Sequence, residues 1–318
     1  MHDLTGPTHQ GYTQPPLEAD VLPHDFFSQY LTHIQHRRSP LTHVAYTSDL
    51  KTFQKFLEAS GLKARKREIS PAMLDQYLAW LKGCQFSDGT IQRRLQGLKS
   101  FFRWAIKRRY LRDDPFVYWE LPRAKQPLPR PLTPEEDMRL LAILDNHPKT
   151  SFRRTVMLAV RLARFAGLRR SECNAIQWQD VDLVKGLLIV RHGKGDKDRA
   201  VPIPDAGLRR PLLAWWEAAG KPESGCVLTG LRQRPLHDRA FSQSIKHVYR
   251  AARVAGATFH TLRTTYATRL LELGADIRTI QVLLGHASLN TTMRYLGITD
   301  LRKRDAVNLL DRDVTSTD

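Results

Sequence analysis

Long apolar runs are missing from this 318-residue chain, and no stretch approaches the roughly 20 apolar residues that a membrane-spanning helix needs. Met1 to Asp20 is polar and holds no apolar signal-peptide core, so neither a membrane role nor secretion is expected. Cysteine is scarce. Cys84, Cys173 and Cys226 are odd in number and scattered, which fits neither a disulfide framework nor a zinc site, and the expected setting is the cytoplasm. Negative charge is in short supply as well: 32 Asp and Glu stand against 50 Lys and Arg, for a formal net charge of +18. A surplus of that size exceeds what solubility requires and points to a polyanionic partner, nucleic acid first. Familiar catalytic signatures are absent too. There is no Gly-x-x-x-x-Gly-Lys-Ser/Thr phosphate loop, no cluster of metal ligands at a recognised spacing, and no Gly-x-Ser-x-Gly elbow. An enzyme built from this chain is therefore expected to work without ATP, metal or any other cofactor.

What is present is organised in segments. Residues 1–22 carry Pro, Gly, Thr and His without an apolar period and read as a loosely ordered arm. Residues 23–121 have helical spacing throughout: Tyr46, Leu50, Phe53 and Leu57 on one stretch, then Leu74, Tyr77, Leu78 and Leu81 after the cap Ser70-Pro71. A third stretch carries Ile91, Leu95, Leu98, Phe102 and Ile106. Between Gly61 and Arg112 thirteen Lys or Arg face three Asp or Glu. On the last of these helices Arg93, Arg94, Lys99, Arg103 and Lys107 read as a basic face for phosphate contact, because so few acidic partners are at hand. Residues 122–131, with four prolines and three basic residues, read as a semi-extended linker.

The second domain is expected over 132–318, opening with a capping box at Thr133-Pro134-Glu135-Glu136. Helical stretches run to Ala166 and stop at Gly167. Leu187–Arg191 and Arg199–Ile203 read as two strands around the basic turn His192-Gly193-Lys194-Gly195-Asp196-Lys197. The remainder reads as helical. The fold class is thus mainly α with a small antiparallel sheet in an α+β second domain.

Four short segments of that domain carry chemistry. Gly167-Leu168-Arg169-Arg170-Ser171-Glu172 sets an arginine just beyond a helix-ending glycine. The hairpin turn holds Lys194. His260-Thr261-Leu262-Arg263 puts a histidine and an arginine on one face of a helical turn. Leu283-Leu284-Gly285-His286 is followed nine residues on by Tyr295. Each alone is commonplace, since a His three from an Arg is usually a surface or core pair and an isolated Tyr usually packs. In this order, in a basic chain, they resemble the tyrosine recombinase (phage integrase) family, over most of Thr133–Leu310.

The resemblance implies an enzyme that cleaves and rejoins DNA strands through a 3′-phosphotyrosyl intermediate. Tyr295 would be the nucleophile and Arg169 and Arg263 a clamp on the phosphate. Guanidinium matches phosphate oxygens by fork geometry, and fixed cations stabilise the charge that grows on them. His286 would donate to a non-bridging oxygen, His260 would act as general base or acid, and Lys194 would protonate the departing 5′ oxygen. Glu172 would orient Arg169. The resemblance also implies that residues 23–121 form a core-binding, SAM-like domain, and that the two domains clamp double-stranded DNA at a specific recombination site. The working unit would be a homotetramer with the C-terminal helix exchanged between protomers. A bacterial or phage-encoded, nucleoid-associated recombinase is expected, Xer-like or from a mobile element. One departure stands out: Leu296-Gly297-Ile298 replaces the Thr-His-Val-like run common in bacterial members, which bears on how the tail packs. Two alternatives share the residues: a type IB topoisomerase-like relaxing enzyme, and a non-catalytic DNA-binding protein on the same scaffold.

Overall fold

The computed structural model describes residues 25–62, 65–123, 130–145, 150–191, 198–229, 238–286, 288–293 and 295. The chain divides into two compact units, Met1–Pro127 and Leu128–Asp318. Among the described residues no helix is long and apolar enough to cross a membrane.

The first unit is built on four helices: α1 (Phe26–Gln35), α2 (Pro40–Ala59), α3 (Pro71–Gly83) and α4 (Asp88–Lys107). Three of them start alike. Ser39, Ser70 and Ser87 sit in extended backbone and accept the amides of Thr42, Met73 and Thr90, so one orphan donor of each first turn is satisfied. Pro40 and Pro71 follow two of these caps, where a missing N–H costs nothing. The core is strongly aromatic: Phe26, Tyr30, Phe53, Phe56, Tyr77, Phe101 and Phe102 are all buried, many at ring distances of 5–6 Å. Helices α2 and α4 cross closely at Gly97, where an added Cβ would lie 2.8 Å from Asp49 Oδ2.

The second unit contains α5 (Pro134–Asp145), α6 (Ser151–Ala166), α7 (Arg170–Ala175), β1 (Val181–Asp182), β2 (Leu187–Val190) and β3 (Arg199–Pro202). It continues with α8 (Arg210–Ala218), α9 (Asp238–Ala251), α10 (Phe259–Glu272), α11 (Ile277–Leu284) and α12 (Leu289–Met293). The capping box at Thr133 forms: Thr133 Oγ1 accepts the Glu136 amide at 3.2 Å and Glu136 returns the bond to the Thr133 amide at 3.1 Å. The strands form one antiparallel sheet in the order β1-β2-β3, with Val190 opposite Arg199 and Leu187 opposite Pro202. The expected hairpin is there, and a short strand that periodicity alone does not reveal, β1, pairs with its outer side. Two residues are too few to show an alternation.

Helix α6 buries Val156, Ala159, Val160, Leu162, Ala163 and Ala166, and packs along α10. Helix α10 is covered almost all round, and Thr265 shows how a buried hydroxyl there is satisfied. Thr265 Oγ1 donates to the Thr261 carbonyl at 2.8 Å and accepts the Leu132 amide at 2.9 Å. This helix carries the His260–Arg263 pair, so part of the site is mounted on a largely buried helix of the unit.

A candidate phosphate site around one helix end

Two glycines set the local backbone. Gly167 ends α6 at φ +64° and Gly285 ends α11 at φ +63°, a region that side chains other than glycine rarely tolerate. Space opposes a replacement at Gly167 and crowds one at Gly285. A Cβ on Gly167 would lie 2.5 Å from the Tyr266 ring, and one on Gly285 would lie 3.0 Å from Arg199 Nη1.

The end of α11 exposes carbonyls that have no partner within the helix, and these are the negative end of its dipole. Three guanidinium groups take them in succession. Arg199 Nε donates to Leu283 O at 2.9 Å, Arg263 Nη2 to Leu284 O at 2.5 Å, and Arg169 Nη2 to Gly285 O at 3.1 Å. Arg263 Nη1 also donates to Gly167 O at 2.5 Å, which ties together the two glycine-capped ends. The three arginines come from the N-cap of α7, from β3 and from α10, three separate segments of the chain.

One carboxylate holds them. Glu172 accepts the Arg169 amide and Arg169 Nη1, each at 2.7 Å, and takes Arg199 Nη1 and Nη2 at 3.0 and 2.9 Å. Arg263 Nη1 lies 3.7 Å away. Burial alone would raise the Glu172 pKa, but the bonds from Arg199 and the Arg169 amide pull it down to about 2. Arg263, only 1% exposed, is lowered to about 10 by burial and by the charge of Arg169, with Glu172 opposing. Three guanidinium groups against one carboxylate leave the pocket with surplus positive charge. Arg263 Nε is buried and has no hydrogen-bond partner among the described residues.

Beside this cluster stand the aromatic residues. His286 Nδ1 lies 2.8 Å from Thr292 Oγ1, and its backbone is clamped by Gln281, whose carbonyl accepts the His286 amide and whose Nε2 donates to the His286 carbonyl. Burial first, then Arg263 and Arg169, push the His286 pKa down to about 3, so the ring is neutral at ordinary pH. Tyr295 is 3% exposed, packs with Tyr266, Leu271, Ile280 and Leu284, and stacks on His286 at 6.2 Å between centroids. His260 sits exposed in the first turn of α10 and lines a cleft with Arg169, Arg170, Ser242, Lys246 and Arg263. Lys194 lies outside the described residues, in the segment between the paired strand ends Val190 and Arg199.

Five of the six expected catalytic positions are thus described. Arg169, Arg263, His286 and Tyr295 share one neighbourhood, and His260 joins Arg169 and Arg263 in the cleft. Glu172 touches Arg169, and it also holds Arg199, which sequence reasoning passed over. A signal existed. Along β3 the period of two puts Arg199 on the same inward face as Val201 and Ile203, an odd place for an arginine without a partner. Thr292 and Lys246 were also passed over.

In the first unit the α4 cations divide. Arg93, Arg103 and Lys107 are exposed, and Arg93 donates to Asp49 at 2.7 Å. Lys99 is half-buried, with its Nζ 5.5 Å from the Phe116 ring centre. Arg94 corrects the expected basic face: it is 9% exposed, and its guanidinium is spent on Thr52, Asp49 and Ser48 O and lies over the Phe86 ring. A buried carboxylate at the α2–α4 crossing draws it inward.

A basic helical unit is thus followed by a mostly helical one, in which separated arginines converge on a helix end next to a tyrosine. The chain belongs to the tyrosine recombinase (phage integrase) family: the phage integrase family pattern matches residues 130–302, and the phage integrase N-terminal SAM-like domain matches 27–109. It is 33% identical over 276 residues to the tyrosine recombinase XerC of Lactobacillus delbrueckii subsp. bulgaricus, covering 84% of this chain and 92% of that protein. It is 33% identical over 269 residues to the tyrosine recombinase XerD of Pseudomonas aeruginosa, covering 83% and 89%. Solved structures share the fold. The XerH site-specific recombinase bound to a palindromic difH substrate aligns with a TM-score of 0.72 at 22% identity, over 90% of this chain and 84% of that one. A lambda integrase dimer bound to a COC′ core site gives 0.68 at 22%, over 90% and 81%. The mainly helical fold with one small antiparallel sheet is therefore the fold of this family.

Proposed function

We propose that this protein is a site-specific DNA recombinase in which Tyr295 attacks a phosphodiester held by Arg169 and Arg263. The Tyr295 oxygen forms a bond to phosphorus as the bond to the 5′ oxygen breaks, giving a 3′-phosphotyrosyl link and a free 5′ hydroxyl. His260 takes the phenolic proton and Lys194 supplies the one that the 5′ oxygen gains. A 5′ hydroxyl from the partner strand then attacks the link and releases the tyrosine. The phosphotyrosine stores the energy of the broken bond, so the exchange is balanced without a further reactant. The observation that carries this reading is, among the described residues, the surplus of guanidinium over carboxylate beside Tyr295, with Arg263 Nε unpartnered. An anion with several acceptor oxygens completes such a pocket.

The test is a nicked suicide substrate carrying the cognate site. Wild type is expected to leave a denaturant-resistant protein–DNA adduct whose peptide map ends at Tyr295, and an adduct on any other residue sinks the assignment. The names of the relatives favour strand exchange over the relaxing-enzyme and the non-catalytic readings.

The partner is double-stranded DNA, which both units contact. Phosphate contact in the first unit falls to Arg93, Lys99, Arg103 and Lys107, with Arg94 supporting the helix from inside. Arg103→Ala is expected to lower the salt slope of binding by about 0.9, the contribution of one released counterion. The rate of cleavage at saturating protein should stay unchanged. Measuring log K against log salt for both proteins checks this, and parallel lines would remove Arg103 from the interface. Exchange joins two duplexes, so the working unit is a homotetramer in which the C-terminal tail passes between protomers; its residues, Asp300–Leu310, lie outside the described ones. The protein acts at the cell's DNA.

A further inference from the structure

Thr292 is fully buried, three residues ahead of Tyr295, and takes part in two contacts that meet in the site. Its carbonyl accepts the Tyr295 amide at 3.0 Å, and its hydroxyl lies 2.8 Å from His286 Nδ1. A buried hydroxyl needs an acceptor for its proton. Among the described residues the hydroxyl meets the imidazole, and a hydroxyl that donates to Nδ1 requires Nδ1 to be unprotonated. The ring proton then sits on Nε2. The backbone amide and carbonyl of His286 are bonded to Gln281, which places the residue, and the Thr292 hydroxyl meets its ring at Nδ1.

We infer that Thr292 is a positioning residue: it holds His286 as the Nε2–H tautomer and, through its carbonyl, links that setting to the placement of Tyr295. The inference rests on the reading of His286 as a donor to the phosphate. Only an Nε2–H can donate there, because the opposite tautomer would turn a lone pair on Nε2 toward an anionic oxygen. Burial first, and then the neighbouring Arg263 and Arg169, favour the neutral imidazole, so it has a single N–H to place, and the choice of nitrogen decides whether it attracts or repels the substrate. The geometry also couples two events. Any shift of α12 that moves Tyr295 pulls on the hydroxyl that sets the histidine.

The tautomer is directly observable. Long-range ¹H–¹⁵N spectra of the ring nitrogens distinguish Nδ1–H from Nε2–H, and His286→Gln assigns the signal among the 12 histidines. In wild type His286 is expected as the Nε2–H form. Thr292→Val, which keeps the shape and removes the hydroxyl, is expected to populate the other tautomer and slow adduct formation on the suicide substrate about tenfold, in the range seen for partners that orient a ligand histidine. DNA affinity should be unchanged, and Thr292→Ser should restore both tautomer and rate. An Nδ1–H form in wild type overturns the inference whether or not the valine variant folds, and so does a valine variant whose tautomer is unchanged. A shifted tautomer with an unchanged cleavage rate instead overturns the reading of His286 as phosphate donor, and this inference falls with it.

Discussion

Tyr295→Phe is expected to bind its DNA site as wild type does and to form no covalent adduct at all. The substitution removes one oxygen from a ring that is 3% exposed and packed among Tyr266, Leu271, Ile280 and Leu284, so the fold has little reason to change. A volume-conserving swap in such a setting costs less than about 1.5 kcal/mol. Chemistry has no substitute, because the reaction stores its energy in the bond that this oxygen makes. The loss should therefore extend to the limit of detection, whereas loss of a stabilising donor leaves activity down by roughly 10²–10³. Mobility-shift and suicide-substrate assays on one preparation separate the two effects. A persistent adduct would place the nucleophile elsewhere, and a fall in affinity without an adduct would show that the phenolic oxygen also contributes to DNA binding. Burial adds a kinetic expectation. With the ring held against His286 in this structure, the phenol must move before it meets a phosphate, so adduct formation should lag behind binding when both are followed in a stopped-flow experiment.

Much of the site is legible in the sequence because glycine punctuates it. Gly167 and Gly285 each end a helix in a conformation that few other residues take, and Arg169 and His286 follow them by two residues and one, so local spacing already locates half of the cluster. Arg263 is legible for a related reason, since a helical turn fixes its relation to His260. The helical stretches of the first unit follow their apolar stripes for the same cause: a period near 3.6 cannot be satisfied by a strand. What is less legible depends on contacts between distant segments. Nothing local says that Arg199 reaches Glu172, 27 residues back in the chain, or that Glu172 serves two arginines rather than one. The inward turn of Arg94 is hidden in the same way, because its cause is Asp49 on another helix. Helical spacing sorts a face into polar and apolar, but it does not tell a solvated arginine from one answering a buried carboxylate.

Glu172 is the residue whose loss should reach furthest. In Glu172→Gln the arginines keep their places near the α11 carbonyls but lose the charge that balances them. Arg263 is 1% exposed and the Arg199 side chain 8%, so neither can turn to water for compensation. Removing one partner of a buried pair typically costs about 3–5 kcal/mol, which for a unit of this size is a fall in melting temperature on the order of 10 °C. Cleavage should fall by roughly 10² or more, since the clamp is no longer held to its geometry. The pH dependence has a definite sign. The carboxyl titrates near pH 2 in the folded protein, below its ordinary value of 4.5, so its stabilisation is fully present above pH 4.5 and disappears as the pH falls toward 2. The difference in stability between wild type and variant should therefore be largest near neutrality and shrink through that acid window. A second consequence separates electrostatics from packing. With more uncompensated positive charge, the variant should gain more stability than wild type from added sulfate or from DNA, by mass action on an anion that binds the folded state alone. Thermal melts across pH, with and without sulfate, test both points together. A variant that melts with wild type, or that sulfate stabilises no more than wild type, would show that the α11 carbonyls alone are enough to hold the three arginines.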